Sequence, residues 1–153
     1  MKKIMQQLVL AALSMVTLSY GTMASAHEVT LVTMDADGTV PGFTGYAQIG
    51  CFDDGNGPPD HFVVQIKDHS PPQDNLLLSA QIIGKKNAAN TTDPISGDNE
   101  SSPEIEISEG AGPYLVLVNK SGPGERVFTL TYHCHTANHV HTGTNEPNVL
   151  QFQ

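Results

Sequence analysis

Apolar residues in this chain recur mostly at every second position, in short runs broken by Gly, Pro, Asn and Asp. Period two is the repeat of a β-strand, whose successive side chains point to opposite faces. Residues 28–34 form a β-branched run that ends at the turn signal Asp35-Ala36-Asp37-Gly38. Residues 43–52 follow, and Asp53-Asp54-Gly55-Asn56-Gly57-Pro58-Pro59-Asp60 reads as loop. Phe62, Val64 and Ile66 alternate with Val63, Gln65 and Lys67, and residues 76–83 make a longer apolar strand beyond Pro71-Pro72. Residues 84–103 hold Ile95 as their one large apolar side chain and read as an extended surface loop. Strands are predicted again from Ile105 to Ile107, over 114–118, over 127–135 and over 149–152. Seven or eight short strands without a helical period predict an all-β fold, an antiparallel β-sandwich.

Strand phase also places both cysteines. Ala47, Ile49 and Cys51 alternate with Gln48 and Gly50, while Phe128, Leu130, Tyr132 and Cys134 alternate with Thr129, Thr131 and His133. Both thiols therefore point at the core, and a Cys51–Cys134 disulfide is the leading reading if the chain is exported. The N-terminus supports export. Lys2 and Lys3 precede an apolar stretch from Leu8 to Leu18, and Ala24-Ser25-Ala26 has the small-x-small pattern of a signal-peptide cleavage site. That stretch is too short to span a bilayer as a helix. The expected organisation is a signal peptide over 1–26 and one β-sandwich domain over 27–153, in the periplasm or outside the cell, with no membrane span after cleavage.

Removing Lys2 and Lys3 leaves 5 basic residues against 16 acidic ones, a charge of −11 with the histidines neutral. Nucleic acid and anionic membranes are thereby excluded as expected partners. The strand series Asp60-His61-Phe62-Val63-Val64-Gln65-Ile66, Gly112-Pro113-Tyr114-Leu115-Val116-Leu117-Val118-Asn119 and Phe128-Thr129-Leu130-Thr131-Tyr132 resembles bacterial pre-peptidase C-terminal domains. These are small secreted jelly rolls, so the resemblance, over about residues 45–132, implies the fold and leaves chemistry open.

Chemistry concentrates in His133-Cys134-His135-Thr136-Ala137-Asn138-His139-Val140-His141, which holds four of the seven histidines. The pattern His133-Cys134-His135, three residues, His139, three residues, Gly143 resembles the copper motif near the C-terminus of multicopper oxidases. That resemblance implies Cys134 and His139 as blue-copper ligands and His133 and His135 as cluster ligands. An oxidase of that kind needs further His-x-His pairs, whereas His27, His61 and His69 stand singly, so ligand count excludes it. A small cupredoxin-like electron-transfer protein is the remaining version, with Cys134, His139 and either His61 or His69, and it requires a free Cys134 thiolate.

If the cysteines are paired, His133 and His135 face outward from one strand, about 6.6 to 7 Å apart along it. A turn around Thr136-Ala137-Asn138 would fold His139 and His141 over them. Neutral imidazoles suit copper, zinc or nickel, with copper favoured by the affinity order. His27 adds a candidate ligand. A mature chain that begins there would chelate copper through amine and imidazole, which resembles the amino-terminal histidine of lytic polysaccharide monooxygenases and of periplasmic copper carriers.

Asp35-Ala36-Asp37-Gly38, Asp53-Asp54-Gly55-Asn56-Gly57 and Asp98-Asn99-Glu100 offer oxygen ligands for calcium, although none completes an EF-hand loop. A calcium-stabilised structural or adhesive sandwich is therefore the rival expectation. No G-x-S-x-G or H-E-x-x-H motif points to hydrolysis. The expected function is transition-metal binding through His133, His135, His139, His141 and His27, for holding, delivery or sequestration without turnover. A protein partner for metal or electron exchange would accompany it.

Overall fold

The computed structural model describes residues 27–153, so the expected signal peptide over 1–26 lies outside the described residues. Ten strands, numbered in chain order, make up the fold: β1 His27–Met34, β2 Thr44–Phe52, β3 His61–Asp68, β4 Leu78–Ile83, β5 Ala88–Thr92, β6 Ile105–Ile107, β7 Gly112–Lys120, β8 Arg126–His135, β9 His141–Thr144 and β10 Asn148–Phe152. One layer runs β1-β8-β3-β6 and the other β5-β4-β7-β2-β10, with every pairing antiparallel. β9 joins them, pairing with β8 on one side and with β2 on the other. The result is an antiparallel sandwich closed at one edge.

The alternation seen in the sequence is the alternation of burial. Arg126, Phe128, Leu130, Tyr132 and Cys134 of β8 are buried while the residues between them are half-buried. From the opposite layer, Ile49, Leu78, Ala80, Ile82, Val116 and Val118 complete the core. Each large aliphatic side chain so buried contributes roughly 1.5–3 kcal/mol relative to exposure. Both cysteines point inward, and Cys51 and Cys134 form a disulfide with Cα atoms 5.7 Å apart. Cys51 and Cys134 also stand opposite Thr144 and Thr142 of β9. Covalent bond and bridging strand thus fasten the layers at the same end.

Two expectations about strands are corrected. Residues 84–103 are not an extended surface loop throughout, because Ala88–Thr92 pairs with β4 from Ser79↔Thr92 to Ile83↔Ala88. Polar anchors hold this region instead of apolar ones. Thr91 Oγ1 donates to the Pro103 carbonyl at 2.6 Å, the Asp93 carboxylate accepts the Asp68 N–H at 2.7 Å, and Ser102 Oγ accepts the Ile66 N–H at 3.0 Å. Alternation of apolar residues cannot signal a strand fixed this way. β9, with the sequence His-Thr-Gly-Thr, was hidden for the same reason, and the described residues hold ten strands rather than seven or eight.

Candidate metal centre

Strand pairing brings the histidines together. β3 and β9 lie on opposite sides of the last residues of β8, with His61 and His141 both in register with His135. Cross-strand partners have Cβ atoms roughly 4.5–5.5 Å apart on the same face. Three rings from three adjacent strands therefore stand in one row. His133, two residues back on β8, shares that face by strand parity, and its ring centroid is 4.5 Å from that of His135.

The fifth ring comes from the β8–β9 turn. The Thr136 N–H donates to the Val140 carbonyl at 2.8 Å and the His139 N–H to the Thr136 carbonyl at 2.9 Å. His139 takes a left-handed conformation, with φ 57°. This reversal swings its ring to 4.9 Å from that of His61, centroid to centroid. Two groups of three histidines, His61 with His135 and His139 and His133 with His135 and His141, have nitrogens within 4.8 Å of one another and could hold a metal ion.

The electrostatics favour cation binding. Burial holds His133 down at about 4, and the neighbouring His135, His141, His27 and His61 rings push in the same direction. Burial likewise lowers His135 to about 4, aided by His141, His61 and His139 against an opposing pull from Glu106. These two rings are neutral at neutral pH, which is the form that binds metal. His133 Nδ1 and His135 Nε2 are buried without a hydrogen-bond partner. Buried polar atoms are rarely left unpaired, and each costs about 1–3 kcal/mol.

His61 is the most buried of the group, at 3 % exposure. Its Nδ1 meets Asp60 Oδ2 at 3.1 Å, its Nε2 lies 3.3 Å from His135 Nδ1, and Glu106 Oε2 is 3.7 Å from Nε2. A carboxylate on one ring nitrogen fixes the tautomer and presents the other as a lone pair, the arrangement that supports histidine ligands. A tetrahedral ion with bonds of about 2.0–2.1 Å sets donor nitrogens roughly 3.3 Å apart, which is the His61–His135 spacing.

Of the five sequence-predicted ligands, His133, His135, His139 and His141 are brought together and His27 is in neither group. His27 pairs with Tyr132, on the inward phase of β8, with the two rings 5.8 Å apart. The sequence set omitted His61. Its one signal was its place as a candidate upstream ligand in the cupredoxin-like reading, which could not choose between it and His69. His69 is exposed at the other end of β3 and bonds Thr129 Oγ1 at 2.9 Å.

The rival chemistries fare differently. Cys134 is bonded to Cys51 and no described cysteine is free, so the thiolate that the electron-transfer reading requires is not available. Gly143 of the copper-like motif has a packing reason, since a Cβ there would fall 2.5 Å from the Phe52 ring. The acidic turns bind their own backbone: Asp53 Oδ1 accepts the Gly55 and Gly57 N–H groups, Asp35 those of Thr39 and Val40, and Asp98 that of Glu100. Among the described residues no three carboxylates come together as a candidate ion site. Nor is any described helix long and apolar enough to cross a membrane. No family model matches the chain, and no curated protein or solved structure matches it either, so function has to come from the chemistry of these side chains.

Proposed function

We propose that the protein binds a divalent transition-metal ion through the imidazoles at the closed edge of the sandwich, with copper as the ion it takes where copper is available. The observation that carries this reading is the pair of orphaned buried nitrogens, His133 Nδ1 and His135 Nε2, inside a cluster of five histidines. A bound ion supplies the partner that each nitrogen lacks. All-imidazole sites suit copper, zinc and nickel, and the affinity order for such donors peaks at Cu(II). The disulfide accords with an exported protein in an oxidising compartment. There the site holds, delivers or sequesters its ion without turnover, and the exposed His139 turn is the edge from which a partner would exchange it.

Titration of the purified, disulfide-bonded protein with Cu(II), followed by calorimetry, tests the reading against a variant with His133, His135, His139 and His141 changed to alanine. Tight binding by the first and its loss in the second is the expected result. Equal, weak binding by both would refute it.

A further inference from the structure

Resting on the metal reading above, we propose that the cluster holds two ions, with the His135 ring as the bridge between them. The five rings do not close around one point. His135 alone belongs to both three-histidine groups. Ring centroids sort the same way: His133, His135 and His141 are mutually 4.5–4.6 Å apart, while His61 lies 5.2 Å from His135 and 4.9 Å from His139. The second group is the looser one, with His135 and His139 6.2 Å apart.

The two nitrogens of His135 differ in their surroundings. Nδ1 faces His61 Nε2 at 3.3 Å, and Nε2 is buried with no hydrogen-bond partner. His133 Nδ1, in the other group, is orphaned as well. One ion held by His61, His135 and His139 would leave both orphaned nitrogens as they are. One ion held by His133, His135 and His141 would reach both orphaned nitrogens and leave His61 Nε2, set by the Asp60 carboxylate on Nδ1, with its hydrogen bond to His135 Nδ1, but it would leave the His61, His135 and His139 group unused. Two ions use both groups. Bridging requires both His135 nitrogens to be unprotonated, so the second ion displaces the remaining ring proton to solvent. The resulting imidazolate charge lies between two cations.

Stepwise addition of Cu(II) to the disulfide-bonded protein, with bound copper counted by mass spectrometry after desalting and unpaired spins counted by EPR, decides the matter. Two ions per chain are expected, with an EPR signal that grows to the first equivalent and falls toward the second as the bridge couples the spins. His139→Ala is expected to keep one ion in the His133 group, and His141→Ala one ion in the His61 group, each with a full uncoupled signal. One ion in the unaltered protein, or two ions with uncoupled signals, would overturn the bridge and leave the metal reading standing. No bound copper at all would overturn both. The unaltered protein carries the deciding measurement, so a variant that fails to fold does not blur it.

Discussion

At its start β8 buries the Arg126 guanidinium, 1 % exposed, and at its end it half-buries the imidazoles of His133 and His135. At the first end charge is matched by charge, although Arg126 Nε and Asp68 Oδ2 make no hydrogen bond. Arg126 Nη1 donates to the Pro71 carbonyl at 2.8 Å and lies 3.6 Å from Asp68 Oδ2, while beside it Lys120 donates to Asp35 and to the Gly122 and Gly124 carbonyls. Every cation there has a fixed counter-charge within the chain. The second end gathers five rings of like character with two nitrogens unpaired, and the half-exposed carboxylates of Asp60 and Glu106 stand beside His61. Matched charges stabilise a fold, whereas buried polar nitrogens without a partner call for one, such as an ion or a water.

The sharpest break in this comparison is Arg126→Met. Asp68, 0 % exposed, would lose its counter-charge, and removing one partner of a buried pair costs about 3–5 kcal/mol. Chemical denaturation with the disulfide intact should show that loss, with Cu(II) stoichiometry unchanged at the far end. An equal loss of copper binding would mean that the two ends are not independent.

How much of this was legible in the sequence follows from the range over which each feature is encoded. Inward Phe128, Leu130, Tyr132 and Cys134 were readable because alternation is local, and the same parity gave outward His133 and His135. Cys51 followed from an independent alternation, and the disulfide from both. His61 was not readable as a member of the cluster, because its place depends on β3 pairing with β8 in the register His61↔His135, which no neighbouring residue specifies. Arg126 was likewise hidden, since the residue that neutralises it lies 58 positions away at Asp68. β9 was read as the turn's far side, and it became a strand only because β8 and β2 both offer it an edge.

A second effect separates the two ends by pH. His133 and His135 sit at about 4 in the folded chain against 6.5 when unperturbed. Between those values the unfolded chain takes up protons that the folded chain refuses, so the ion-free protein loses stability as pH falls from about 6.5 toward 4. Above that window these groups contribute no pH dependence, and below it the loss is complete. Denaturation midpoints measured across pH 4–8 should show this slope, and His133→Gln with His135→Gln should flatten it. A slope that persists in the double variant would assign it to the carboxylates instead.

The smallest effect is the control within β3 itself. His61 and His69 flank the same strand, but His61 is buried against His135 while His69 is exposed and bonds only Thr129 Oγ1. An exposed substitution of that kind falls within about ±0.5 kcal/mol, so His69→Ala should leave both stability and copper binding as they are. His61→Ala removes a member of one three-histidine group and should weaken binding there, although it leaves the number of histidines in the chain the same as His69→Ala does. If the two variants bound copper equally, histidine content rather than the β3–β8–β9 register would govern affinity. The contrast between the charge-matched end and the end with unpaired nitrogens would then describe packing alone.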